Sequence, residues 1–332
     1  MIKIIIVGDV HNMGTNPSSR KDFFPETLNT KIKEIIEIAN NENADAVLFT
    51  GDLSHSPDTA NQIIKNFGQN ILNLNCPAYT IIGNHDIYGG NINSTERSKI
   101  GILDAFDIIK IIPNNEKIYI EKDNTVLQIT GQSFCTNIDT AENKKDFYTV
   151  KKENADWAIH LVHGFLIDTS LPFSHTSVNE IIDTEADITV SGHLHYPFFK
   201  EVNDKVFFNP GAVGRITASK TELRQPKVVK IEFEKTHFKI EDLELKSAPP
   251  FEDVIDRSKL KVDINEIYRI EDFIDSVKSF SESNTLDFIE IVKYISEKEN
   301  TRKIVTDDVI NEIHIAEEEL MSGGDRWKIL KN

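Results

Sequence analysis

Apolar and polar positions alternate along this chain in two different rhythms. Ile2 to Val7 is an unbroken apolar run ended by Gly8-Asp9, the pattern of a strand covered on both faces. From Leu28 to Ala39 the apolar residues recur as Leu28, Ile32, Ile35, Ile36 and Ala39, which is helical spacing. "DAVLFTGD" (45–52) then reads as a second buried strand, 58–74 as a helix and "AYTIIGNHD" (78–86) as a third strand. Strand, helix, strand, helix, strand implies a sheet built through crossover units. After about residue 110 the strands shorten and take hairpin-like spacing: "KIYIEK", "TVLQITG", "WAIHLVHG", "ADITVSGH", "KVFFNPG", "PKVVKIEFEK" and "HFKIEDLEL". They predict a second sheet facing the first, with helices outside. Pro249-Pro250 marks 247–259 as a linker. Beyond it, Ile267, Ile270, Phe273, Ile274 and Val277 predict helix, so the expected organisation is a catalytic domain over 1–246, the linker, and a helical module over 260–332.

The apolar strands end in polar clusters of one kind. They are "GDVH" (Asp9, His11), "TGDL" (Asp52), "GNHD" (Asn84, His85, Asp86), "LVHG" (His163) and "SGHLH" (His193, His195). A single histidine after a strand is ordinarily structural, and Gly, Asn and Asp form turns for backbone reasons. Five such clusters at the same topological place, each with a glycine beside it, point instead to a site whose ligand-bearing turns need unusual dihedrals. In extended chain residues i and i+2 point the same way, so Asp9 and His11 can reach one centre. Seven carboxylate, imidazole and amide ligands exceed what one ion takes, whereas two ions sharing a bridging carboxylate use them all. In "WAIHLVHG" the period of two sets His163 with Trp157, Ile159 and Leu161, and His160 on the opposite face as a structural residue.

Composition narrows the chemistry. Only Cys76 and Cys135 occur among 332 residues, so neither a disulfide framework nor a thiolate metal site is expected, and the donor set suits Mn, Fe or Zn. With 37 Lys+Arg against 54 Asp+Glu the formal charge is −17, which argues against a protein held on nucleic acid by its overall field. The region from Phe251 onward carries 20 Asp/Glu and 12 Lys/Arg. No stretch approaches the roughly 20 apolar residues of a membrane span. The expected setting is a reducing cytoplasm. Arg20-Lys21, beside Phe23-Phe24, reads as a solvated loop.

The ordered set D-x-H, G-D, G-N-H-D, H-G and G-H-x-H resembles the signature of the calcineurin-like metallophosphoesterases over about residues 1–245. The resemblance implies an α/β fold, a four-layer α/β/β/α sandwich here carrying a C-terminal helical extension, and a dinuclear site with two divalent ions, Mn2+ foremost and Fe or Zn as alternatives. It implies that Asp9, His11 and His195 hold one metal, that Asn84, His163 and His193 hold the other, and that Asp52 bridges. By the same resemblance His85 acts as general acid on the leaving oxygen; Asp86 beside it reads as a supporting residue, and His55, three residues past Asp52, is a candidate substrate contact. Protein phosphatases of this fold usually extend the second motif to G-D-x-x-D-R-G, whereas "GDLSHSP" has no arginine. Purple acid phosphatases add a metal-binding tyrosine that Ser54-His55 does not offer. Two enzyme readings stay open. One is a DNA exonuclease or endonuclease similar to the SbcD-type repair nucleases, including phage versions, in which a helical tail docks an SMC-like ATPase or a second subunit. The other is a phosphodiesterase on small diesters such as cyclic nucleotides, favoured by the acidic charge. A third reading, a catalytically inactive scaffold, fits poorly because every expected ligand position is filled.

Overall fold

The structure is a computed structural model that describes residues 1–168, 174–218 and 220–256, together with Lys303. The chain divides into two compact units, Met1–Ser279 and Phe280–Asn332, and the description below concerns the first. The expected helical module over 260–332 lies outside the described residues, apart from Lys303.

The strands are β1 (Ile2–Val7), β2 (Ala46–Phe49), β3 (Ala78–Thr80), β4 (Lys110–Ile111), β5 (Lys117–Lys122), β6 (Thr125–Gln132), β7 (Trp157–Val162), β8 (Leu166–Ile167), β9 (Thr176–Ser177), β10 (Ile188–Ser191), β11 (Phe198–Val202), β12 (Lys205–Asn209), β13 (Lys227–Phe233) and β14 (Phe238–Glu244). The α-helices are α1 (Phe24–Asn41), α2 (Asn61–Ile71), α3 (Lys99–Ala105) and the single turn α4 (Phe251–Val254). One sheet has the order β14-β13-β1-β2-β3-β4 and the other β11-β12-β10-β7-β6-β5, with β8 and β9 forming a separate short pair. β1 through β4 run parallel. So do β6, β7, β10 and β12, with β5 and β11 antiparallel at the margins.

The period of two in β1 divides its side chains between two cores. Ile2, Ile4 and Ile6 join Leu127, Ile129, Ile159, Leu161, Ile188 and Val190 between the sheets. Ile5 and Val7 belong with Leu28, Ile32, Ile35 and Ile36 of α1 on the outer side. Each such side chain, fully buried, contributes about 1.5–3 kcal/mol, enough to hold two stacked sheets in fixed register. The layer outside the second sheet is thin: single 3-10 turns at Lys144–Phe147 and Val178–Glu180 and their connecting loops bring Ile138, Tyr148, Val178 and Ile181 into the outer core.

Four local expectations change. β13 and β14 belong to the first sheet, with β13 antiparallel to β1 in the register Ile4↔Ile231. Val229, Ile231 and Phe233 alternate with Lys230 and Glu232, and such alternation says that one face is buried without saying against which sheet. The centre of the second sheet is parallel despite its hairpin-like spacing, because long connections return each strand to the same end. Arg20 is buried rather than solvated, forked onto Asp22 through Nε and Nη2, both at 2.7 Å. The first part of the linker also packs: Phe251, Val254 and Ile255 form a small apolar cluster with Ala218, and the Lys21 and Asp256 amides donate to Val254 O and Ser19 O.

Candidate metal centre

The carboxyl ends of β1, β2, β7 and β10, with the turn after β3, converge on one place. Asp9, His11 and His195 bring ligand atoms within 4.8 Å of one another, and so do Asp52, His163 and His193. Asp52 joins the groups: its Oδ2 is 3.4 Å from His163 Nε2 of its own group and 3.6 Å from His11 Nε2 of the other. Asn84 Oδ1 sits 2.9 Å from His193 Nδ1 and 3.1 Å from His163 Nε2. All seven residues named from the sequence are therefore together. A third group, His11, His55 and His85, also lies within 4.8 Å but shares His11 with the first.

The local backbone shows why these turns have their sequences. His11, Asp52 and His193 adopt φ of 52°, 47° and 71°, and the other non-glycine residues with positive φ among those described are all Asn or Asp. The left-handed conformation costs such residues roughly 1–2 kcal/mol, so it persists where neighbouring contacts over-determine it. Here they do: Val10 and His11 amides both donate to Asp52 O, and the His193 amide donates to Asp9 Oδ2 at 2.9 Å. Gly51 has φ +98°, and a Cβ on Gly83 would stand 2.0 Å from Asp52 Oδ1, so that glycine is required by close approach.

Asp86 is buried, with both carboxylate oxygens accepting from backbone amides. Its Oδ1 accepts from the Ser54 amide at 2.9 Å and its Oδ2 from the Gly83 amide at 3.0 Å, which ties the Asp52 turn to the Asn84 turn. His85 stands beside the first group, its ring centroid 4.8 Å from that of His11. Its Nδ1–H donates to His55 O at 2.9 Å, and the two rings stack at 5.3 Å. His160 is on the opposite face of β7, its Nε2–H donating to Phe147 O and its Nδ1 beside the Thr130 hydroxyl.

The donor set fits divalent cations on the evidence of its own unsatisfied atoms. His163 donates Nδ1–H to Thr50 O at 2.7 Å, so in the neutral ring Nε2 presents a lone pair to the oxygens of Asp52 and Asn84. Acceptors facing acceptors in a buried site need a proton or a cation between them. Without a cation, burial works to lower the His163 pKa, but the Asp52 carboxylate outweighs it and holds it at about 9. His11 and His195 place their Nε2 atoms 2.8 Å apart, and His11 Nδ1 is buried without a hydrogen-bond partner. Burial depresses His195 and His193 to about 3 and His11 well below its ordinary value, leaving neutral rings with lone pairs for a metal. Burial also pushes the Asp9 carboxyl up to about 7, against the opposing pull of His163. No cysteine enters these groups among the described residues.

A profile of the calcineurin-like phosphoesterases matches residues 2–197, from the first residue of β1 to just beyond His195. The chain belongs to that family. It is thereby placed among the metal-dependent phosphoester hydrolases. This phosphoesterase is 26% identical over 254 residues to a DNA double-strand break repair protein Mre11 of Sulfolobus acidocaldarius, covering 74% of the chain and 62% of that protein. It is 24% identical over 239 residues to the Mre11 of Archaeoglobus fulgidus, covering 64% of the chain and 50% of that protein. The phosphoesterase thus spans about half to three fifths of the length of these relatives. A solved archaeal phosphodiesterase matches with 21% identity and a TM-score of 0.37, over 73% of this chain and 100% of that one. None of the helices among the described residues is long and apolar enough to cross a membrane.

Sequence reasoning missed the residues that hold the centre from behind. Thr50 gives its hydroxyl to Asp9 Oδ1 at 2.8 Å and its carbonyl to His163. Asp139 accepts from Tyr148, Thr176 and the Phe165 amide behind the His163 turn. A threonine ending a strand and an aspartate in a loop carry no spacing signal that could have found them.

Proposed function

We propose that this phosphoesterase is a dinuclear phosphodiesterase acting on DNA, a nuclease of SbcD type. The observation that carries the dinuclear part is that Asp52 Oδ2 lies within 3.6 Å of both His163 in its own group and His11 in the other, with Asn84 beside His163 and His193. In this reading Asp9, His11 and His195 hold one ion, Asn84, His163 and His193 the other, and Asp52 bridges. When bound, such a pair of divalent ions, Mn2+ foremost, supplies Lewis-acid activation of water and of the phosphoryl group. The protein's own contribution is positional. Thr50 O orients the His163 imidazole, and Asp86 locks two ligand turns together. His55 O takes the Nδ1 proton of His85 and so leaves Nε2 as the atom that hands a proton to the leaving oxygen. General acid assistance of this kind is typically worth about 10²–10⁴ in rate.

The similarity to proteins named for DNA double-strand break repair supports DNA as substrate, and by extension an SMC-like ATPase or a second copy as partner. A small diester such as a cyclic nucleotide is the second reading, favoured by the charge of −17. A manganese-dependent panel on one preparation separates them: linear and hairpin DNA, bis-p-nitrophenyl phosphate and cyclic nucleotides. Turnover of DNA at a kcat/KM above that for the cyclic nucleotides is the expected result. Hydrolysis of the cyclic nucleotides without cleavage of DNA ends the nuclease reading.

A further inference from the structure

The chain segment Ala212–Ile216 runs behind the centre outside any strand, and each of its five carbonyls accepts a side-chain donor. Arg224 Nη2 donates to Ala212 O at 2.6 Å and to Gly214 O at 3.3 Å. Lys31 Nζ donates to Val213 O at 2.5 Å, Arg20 Nη1 to Arg215 O at 2.9 Å, and Ser19 Oγ to Ile216 O at 2.9 Å. Lys31, Arg20 and Ser19 are buried, although lysine and arginine are among the residues least often fully buried. Each guanidinium brings its own carboxylate, Arg20 with Asp22 and Arg224 with Glu222. Lys31 lies outside any ion pair among the described residues, and burial, with Arg215, Arg20 and Arg224 nearby, pushes its pKa far down, so it serves here as a hydrogen-bond donor.

The amides of the same segment point the other way. Val213 N–H donates to Asp9 O at 2.8 Å and Ala212 N–H to His195 O at 3.1 Å. Those are the backbones of two members of the Asp9, His11 and His195 group. The Asn84, His163 and His193 group is braced chiefly through Thr50 O and the Asp139 network, and meets the first group where the His193 amide donates to Asp9 Oδ2.

We propose that Lys31, Arg224 and Arg20 are positioning residues for one of the two metals: by gripping the 212–216 carbonyls they hold the Asp9 and His195 backbones at the spacing the first ion requires. The proposal rests on the dinuclear reading above. A buried polypeptide with no ladder partner would otherwise be free to shift, and a ligand displaced by a fraction of an ångström loses its ion before it loses its fold. The donors come from the loop before α1, from α1 itself and from the loop before β13, three separate stretches of chain, which makes the grip a property of the assembled domain.

The test is Mn2+ titration by calorimetry together with electron paramagnetic resonance, on the full chain and on Lys31→Met and Arg224→Gln. Wild type taking up two ions with the exchange-coupled signal of a pair upholds the dinuclear reading, and uptake of one ion overturns that reading and this one with it. Given two ions in wild type, each variant is expected to keep one tight ion and to bind the other at least about tenfold more weakly, with the six-line signal of isolated Mn2+ replacing the coupled one. Two ions at wild-type affinity in folded variants, or equal weakening of both, overturns the proposal while leaving the dinuclear reading intact. Tyr148→Phe, behind His163, is expected to spare the first ion. Hydrogen exchange on the unaltered chain supplies a measurement independent of whether the variants fold: Mn2+ loading is expected to slow exchange in the peptide covering 209–216 several-fold, and unchanged exchange there counts against the grip.

Discussion

The two sheets contribute unequal halves to the candidate metal centre. The first sheet delivers oxygen: Asp9, Asp52 and Asn84, with His11 as its one imidazole among the ligand positions. The second delivers imidazoles alone, His163, His193 and His195. Their bracing differs in the same sense. The turns of the first sheet hold one another, through Asp52 O, which accepts the Val10 and His11 amides, and through Asp86, which joins the Ser54 and Gly83 amides. The histidines of the second sheet are held by the first, His163 by Thr50 O and the His193 amide by Asp9 Oδ2. Among the ligand-bearing turns the first sheet is thus the template and the second is docked on it, while the segment after β12 braces the Asp9 backbone in return. Damage to the template is expected to spread, and damage to the docked half to stay local.

The sharpest way to break that comparison is at Asp52. Asp52→Asn is expected to weaken both ions and to lower diester hydrolysis by at least about 10⁴-fold, whereas His195→Ala affects chiefly one ion. Elemental analysis of the two variants side by side decides it, and an Asp52→Asn protein that retains one full ion defeats the template idea. Next in size is His85→Ala, which is expected to keep both ions and lose about 10²–10³ in kcat on DNA, with a smaller loss on an activated nitrophenyl ester that needs little proton assistance. Loss of metal in this variant would make His85 a ligand rather than an acid.

Asp86→Ala tests the bracing without touching a ligand. Two buried amides lose their acceptor, each at a cost of about 1–3 kcal/mol, so thermal denaturation of the metal-free protein should show a clear drop. On the second sheet, His160 gives a smaller, pH-dependent effect. Burial depresses it from 6.5 to about 4, so the unfolded chain takes up its proton first as the pH falls. Stability is therefore lost progressively between about pH 6.5 and about pH 4, by on the order of 1–3 kcal/mol, and His160→Gln should flatten that part of a denaturant-midpoint profile. The smallest effect is expected from ending the chain after Asp256, with metal uptake and hydrolysis of bis-p-nitrophenyl phosphate nearly unchanged. Ending it after Lys246 also removes Phe251, Val254 and Ile255 and the Pro249 carbonyl that Arg215 holds, and should cost stability.

Much of the centre was legible in the chain because its signals are local. A run such as Ile2–Val7 closed by glycine and aspartate declares both a buried strand and the end where its polar groups sit, and five runs of that kind named in order the seven candidate ligand positions and His85 that the fold brings together. The period of two separated His160 from His163, since neighbouring residues of a strand must face opposite ways. What the chain could not express is anything set by contact between distant segments. The alternation in β13 was plain, yet its membership in the first sheet follows from pairing with β1, some 225 residues away in sequence. Arg20, Lys31 and Arg224 look like surface residues because their charge says so, and only the assembled domain brings carbonyls 212–216 to them. Asp52 could be named as a bridging carboxylate from a family pattern, but its place between His11 and His163 depends on two sheets meeting in one register. Local sequence determines which backbone turns and which faces are available, because dihedral preferences and burial periodicity act over a few residues. Packing decides which of those faces meet, because the free energy of closing two sheets over a shared core belongs to neither alone.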